Sequence, residues 1–253
     1  MLLDQILHRP PRLAVDDFIL LAQVPNAVVI VRNERGDTVW TSPYSVQSLM
    51  DDANVPPTAR AADRLSLEVA AVVESMVART RERQETLEYL RVIRGRCCFT
   101  RLVPLASRVG EDCVGIFLMP MLGPLAGRWT GVGCISTPDL GRLGSLSPRE
   151  LEVVWYLAQG CSVKDVAAAM FRSIKTIENH IASIHRGLGV QSRAELVRET
   201  VERGLTCVDL PTWLTITGVS TGAGANVVVN VGTNSGAQPR TSTGAKGSMQ
   251  ASL

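Results

Sequence analysis

Histidine is scarce in this 253-residue chain: only His8, His180 and His185 occur. None falls between 17 and 122, so that stretch has no imidazole to ligate a haem iron. Six cysteines are present, Cys97, Cys98, Cys113, Cys134, Cys161 and Cys207, but no C-x-x-C pair exists and none stands near a histidine at metal-ligand spacing. No metal site is expected, and the cysteines read as reduced, packed, small apolar residues. No apolar run reaches the length of a membrane-spanning helix. The opening MLLDQILHRPPRLAVDD carries an early acid and lacks the basic start and cleavage site of a secretory signal, so a cytoplasmic location with no membrane partner is expected. There is no internal repeat, no phosphate-cradling glycine loop and no nucleophile–base pair in a recognisable setting. Neither a cofactor nor an enzymatic activity is expected. The net charge of +2 says little about partners, so charge must be read locally.

What is there begins with a hydrophobic content of 45%, enough for real cores in one large domain or two small ones. The most informative stretch is 146–205. Four helix starts can be placed in it, each opened by a serine. Ser147 is followed by Pro148 at the first helical position and Glu150 at the third, a capping box. Ser162 repeats the pattern with Asp165, Ser192 with Glu195, and Ser173 with Thr176 in place of the acid. An all-α module of four helices follows. Its third helix, Ile174 to Leu188, carries Ile177, Ile181, Ile184 and Leu188 on an apolar stripe, with Lys175, Glu178, Asn179, Ala182 and Arg186 on the other side. The helix before it, Val163 to Phe171, buries Val166, Ala167 and Met170. Only Arg172 and Ser173 separate the two, which describes a helix-turn-helix. His180 and His185 read as partly buried or solvated helix residues.

This segment resembles the LuxR/FixJ/NarL-type DNA-binding domain. The residues that carry the resemblance are LSPRE at 146–150, the glycine of AQG at 158–160, SVKDVA at 162–167, SIKTIENH at 173–180 and LGVQSRAEL at 188–196. The resemblance covers about a quarter of the chain. It implies that the third helix enters the major groove of double-stranded DNA, with Glu178, Asn179 and Ala182 facing bases. Lys164, Lys175, Thr176 and Arg186 fall at backbone-contact positions. It also implies that the fourth helix supplies a homodimer contact, for which Leu196, Val197, Thr200 and Val201 offer an apolar patch. Some members of the family carry lysines where this chain has Glu178 and Ala182, a departure that bears on binding strength and target sequence. The chemistry of the residues agrees with the roles. Asn179 can bond bidentately to adenine, Glu178 can accept from cytosine N4, and Ala182 can touch a thymine methyl. Between 161 and 190, four basic residues against two acidic ones give a local charge of +2, modest enough to favour a dimer that doubles the contacts.

Residues 17–122 read as an α+β unit. Ala27–Val31 and Thr38–Ser42 form a hairpin across the turn NERGD. A helix follows over Leu65–Arg83. Three strand candidates come after it, Leu87–Ile93, Cys98–Ala106 and Cys113–Met121, joined by RGR and VGED turns. This order resembles a PAS domain, an antiparallel sheet with helices, used for sensing or for dimerisation. A pocket for a small-molecule ligand lined by Phe99, Val103, Ile116 and Leu118 is one option; a plain dimerisation core is the other. RCCF at 96–99 sits in a strand, not in the helical motif of a photoactive flavin domain. A phosphorelay receiver would need a phosphoacceptor Asp after an early strand, where Arg32 and Asn33 stand instead. Trp40 and Tyr44 alone do not make a homoserine-lactone pocket.

Residues 123–145, dense in Gly and Pro, read as a linker. Residues 206–253 read as a disordered tail, its part from 216 on rich in Gly, Ser, Thr, Ala and Asn with almost no charge. The expectation is a bacterial transcription regulator that binds DNA as a dimer. The alternative is a co-regulator that acts by pairing with another regulator and binds little DNA of its own.

Overall fold

The computed structural model describes residues 13–24, 26–42, 67–106, 112–121 and 132–219. A mixed, mainly antiparallel sheet forms the amino-terminal half. Its strands are β1 (Leu13–Ala14), β2 (Val28–Arg32), β3 (Thr38–Thr41), β4 (Leu87–Ile93), β5 (Arg96–Ala106), β6 (Asp112–Pro120) and β7 (Gly133–Cys134). The spatial order is β3-β2-β6-β5-β4-β7, and β1 pairs parallel with the end of β5. Among the described residues this half has two α-helices, the short α1 (Val15–Ile19) and the long α2 (Leu67–Arg83). Val69, Ala70, Val73, Met76, Val77 and Thr80 are buried along one side of α2, the spacing of an amphipathic helix on a sheet. The β4–β5 hairpin turns on Arg94 and Gly95, both left-handed, with Ile93 opposite Arg96. Two consecutive positive φ values match the twist that a two-residue hairpin needs.

Alternation along the strands sends neighbours to opposite faces. One face carries Leu87, Tyr89, Leu102, Val114 and Ile116 against Val73, Met76 and Val77 of α2. The other face is covered twice. Phe18 of α1 packs on Val29, Val31, Leu105 and Cys113. Its ring lies where a Cβ on Gly115 would be, so only glycine fits there. Further along this face, Leu90, Val92, Cys97, Phe99 and Met121 join the core of the carboxy-terminal helices.

Those helices are α3 (Pro148–Ala158), α4 (Val163–Ala169), α5 (Ile174–Leu188), α6 (Arg193–Glu202) and α7 (Leu210–Ile216). The first four begin at the serines read from the sequence. Ser147 and Ser162 form full capping boxes, with the N3 acid bonding back to the cap backbone. Ser192 accepts from the Glu195 N–H, but the Glu195 carboxylate takes the Gln191 N–H instead of closing the box.

Two expectations are corrected. The tail does not begin at 206, and the module does not stop at four helices. Asp209 caps α7, and Trp213 and Ile216 are fully buried. The Trp213 indole donates to the Leu151 carbonyl at 2.9 Å, and Trp155 donates to the Val208 carbonyl at 3.0 Å. One tryptophan and one isoleucine anchor a seven-residue helix that composition averaged over 206–253 does not reveal. The expected tail beyond 219 lies outside the described residues. A further correction concerns the described part of the linker. β7 runs parallel to β4, Ile135 N–H donates to the Leu90 carbonyl at 2.9 Å, and Asp139 N–H to the Val92 carbonyl at 3.1 Å. Extended Gly- and Pro-rich chain still has N–H and C=O groups to satisfy, and the open edge of β4 satisfies them.

Sheet and helices are therefore locked together. Cys97 N–H donates to the Arg203 carbonyl at 2.8 Å, Arg96 to the Glu202 carbonyl at 3.1 Å, and Arg203 to the Arg94 carbonyl at 3.2 Å. Gly204, with φ +76, presses on Met121, and a Cβ there would strike the Met121 carbonyl oxygen.

Candidate nucleic-acid interface

The α4–turn–α5 unit is built from its caps inward. Ser173 accepts from the Thr176 N–H at 3.0 Å, and the two hydroxyls lie 2.8 Å apart. This fixes where α5 starts. The chain enters through Phe171, whose φ of +53 is left-handed and whose side chain is 90% exposed. Ile177, Ile184 and Leu188 are buried against the other helices, and Ile181 is half-buried. That anchors one side of α5 and leaves the opposite side bare. Gly189 in the left-handed region closes the helix, its N–H on the His185 carbonyl.

Lys175, Glu178, Asn179, Ala182 and Arg186 are all exposed, on one helix, and Thr176 is half-buried at the first turn. Lys164 is exposed on the first turn of α4. The Lys175 ammonium sits 3.7 Å from the Glu178 carboxylate, with the lysine 79% exposed. A pair so solvated is worth little and opens readily. Arg172, exposed in the turn beside the start of α5, was counted in the local charge but given no role. Its signal was its place between two helices whose caps fix the turn. His180 and His185 are half-buried. Among the described residues, no group of three or more His, Cys, Asp or Glu is placed to hold a metal ion.

Glu150 ties α5 to α3. Burial pushes its pKa up, but hydrogen bonds from Ser183 and Ser147, with His180 nearby, outweigh burial and hold the carboxyl below its ordinary value. Arg193 holds the loop before α4 through the Cys161 carbonyl at 2.6 Å.

The proposed dimer patch is only half available. Leu196 and Thr200 are fully buried within the chain, and Thr200 donates to the Val197 carbonyl. Val197 is half-buried and Val201 is exposed, so these two alone reach the surface. The four pocket candidates also separate. Phe99 and Val103 stand on the sheet face covered by α1 and the carboxy-terminal helices, while Ile116 and Leu118 stand on the α2 face. Odd and even positions of paired strands point apart, so these four cannot line one pocket.

Residues 144–200 match the family of bacterial regulatory proteins, luxR family. An HTH-type transcriptional regulator of Mycobacterium tuberculosis (strain ATCC 25618 / H37Rv) is 41% identical over 61 residues, 24% of this chain and 7% of that one. UhpA, a transcriptional regulatory protein of Escherichia coli (strain K12), is 42% identical over 72 residues, 26% of this chain and 37% of its own. The oxygen regulatory protein NreC of Staphylococcus carnosus is 38% identical over 76 residues, 30% and 34%. The chain thus spans little more than a third of these relatives at most. Among solved structures, a VqmA–ligand–DNA complex from Vibrio cholerae is 20% identical with a TM-score of 0.37, over 81% of this chain and 94% of that one. The carboxy-terminal segment is a luxR-family helix-turn-helix domain.

Proposed function

We propose that the chain is a transcription regulator that binds double-stranded DNA by laying α5 in the major groove, acting as a homodimer. The observation that carries this reading is the bare side of α5, where Lys175, Glu178, Asn179, Ala182 and Arg186 stand together, within the segment that matches the luxR family. An exposed helix with an amide and a carboxylate between two cations has donors and acceptors for base edges and charges for phosphates. Lys164 on the first turn of α4 and Thr176 on the first turn of α5 add backbone contacts. The dimer contact is proposed to use Val197 and Val201 on α6.

The amino-terminal unit is proposed to be PAS-like, serving sensing or dimerisation. Numbering only its five antiparallel strands in chain order, from β2 to β6, their spatial order is 2-1-5-4-3 with a helix across one face. The order supports that reading more strongly than the succession of elements in the sequence.

A mobility-shift titration against sites selected from random DNA tests the proposal. Lys175→Ala should weaken binding on every sequence and flatten the salt dependence by about one phosphate. Asn179→Ala should relax the preference at one base pair, at a cost of roughly 1–3 kcal/mol on the preferred site. If neither variant changes binding, α5 is not the recognition helix. The co-regulator reading draws on the acid beside Lys175, which weakens the grip of each half. It predicts no shift by the protein alone and a shift once a second regulator is added.

A further inference from the structure

Two arginines are buried on the α2 face of the sheet, each only 3% exposed. Arg32 is fully served: its guanidinium meets the Glu74 carboxylate at 2.7 Å and the Gly36 carbonyl at 3.0 Å. Arg91 is not. Among the described residues its Nε and Nη2 have no hydrogen-bond partner, while the guanidinium and the hydroxyl of Thr100, which is 1% exposed, both face the Tyr89 phenol. The pairings Tyr89–Thr100 and Arg91–Cys98 across β4 and β5 put these side chains on one face as immediate neighbours. The surroundings are apolar: Val28, Ile93, Cys98, Ile30 and Leu118 on one side, Tyr89, Val73 and Ile116 on the other.

An unpaired charge at such a depth costs several kcal/mol, and natural folds pair it or bond it. Among the described residues, the titratable neighbours Cys98 and Tyr89 do not supply the anion. Burial pushes the Cys98 thiol up to about 12, although Arg91 and Arg96 pull it back. Burial likewise raises the Tyr89 phenol against the opposing pull of Arg91 and Thr100. Both are neutral at pH 7. A cation fork with two unbonded N–H groups, a hydroxyl and a phenol, set into an apolar wall, match a carboxylate on a small apolar body.

We propose that Arg91, with Thr100 and Tyr89, forms the anion-holding end of a ligand site on this face, and that the ligand is a small organic carboxylate. The carboxylate takes two N–H bonds from the guanidinium and an O–H bond from the Thr100 hydroxyl, and its apolar body lies along Ile116 and Leu118. The inference rests on the sensing reading of the amino-terminal unit and is independent of DNA binding.

The test titrates the full chain, free of DNA, with benzoate and with benzamide, by calorimetry and by the Arg91 Nε–H resonance in NMR. The site should bind benzoate, a ligand of this size, with a Kd of roughly 1 mM, and benzamide at least about tenfold more weakly, since it lacks the charge that pairs with the guanidinium. Thr100→Val should weaken benzoate several-fold. Arg91→Met should abolish benzoate binding without lowering the melting temperature of the ligand-free protein, because replacing an unpaired buried charge by an apolar side chain is neutral or stabilising. Equal binding of benzoate and benzamide overturns the proposal. So does the absence of saturable binding, or a marked loss of stability in Arg91→Met, which would give the guanidinium a structural partner. A mobility shift run on the same preparations keeps the two readings apart: benzoate failing while DNA still shifts refutes only the ligand site.

Discussion

Replacing Trp213 by alanine should destabilise the protein by about 3–5 kcal/mol, the usual cost of emptying a large aromatic site. The magnitude follows from its position. Its ring is fully buried in the cluster that joins α3, α7 and the sheet residues Leu90, Val92 and Phe99. A tryptophan hides up to about 250 Å², worth about 6 kcal/mol at 25 cal/mol per Å². That figure is an upper bound because the unfolded chain already buries part of the ring. Its indole also donates to the Leu151 carbonyl, so Trp213→Phe, which keeps most of the volume, should cost only about 1–2 kcal/mol. The assay is urea unfolding followed by far-ultraviolet circular dichroism and by proteolysis of the sheet. Because the cluster is continuous, both probes should shift together. A loss under about 1 kcal/mol in Trp213→Ala would refute the claim that α7 is structural. Helices melting while the sheet resists would refute the shared core.

A chain ended at residue 208 should lose stability much as Trp213→Ala does, whereas one ended at 219 should match the full chain in thermal melts. Gly204→Ala should destabilise by about 1–3 kcal/mol, since it demands φ +76 from a residue with a Cβ and pushes that atom into Met121; denaturant titration reads it. Ser162→Ala should cost about 0.5–2 kcal/mol by removing a helix cap. For Glu199, burial raises the pKa but the bond and charge of Arg203, with Arg142 and Arg96, lower it further. A depressed carboxylate contributes stability in full above its unfolded pKa, near 4.3, and loses it as pH falls through the lower folded value. Glu199→Gln should therefore flatten the fall in stability on acidification below about pH 4.3, which unfolding at stepped pH would show.

How far the sequence could be read varies by region. α5 was legible to the residue, because its cap, its apolar period and its closing Gly189 agree. The strands β2 to β6 were legible to within a residue or two at each end, since β-branched runs and a two-residue turn mark them. α7 was missed because seven residues give too few turns for a period, and its anchor is a single tryptophan whose partner lies 62 residues away. The pocket candidates were chosen for being apolar, and only strand pairing shows that two of them face each way.

The sequence by itself determined what is local: where helices begin, because a serine side chain reaches its own N3 backbone, and which side of α5 is bare, because the apolar period is written in the chain. Tertiary structure alone decided what depends on distant neighbours. Leu196 and Thr200 carry the same composition whether they face a partner or the chain's own core, and packing put them inside. Gly133–Cys134 has no strand signal, yet it pairs with β4 because that edge offers free backbone groups. Arg32 and Arg91 are alike as letters; one meets Glu74 of α2 and the other meets no acid among the described residues, and only the fold could separate them.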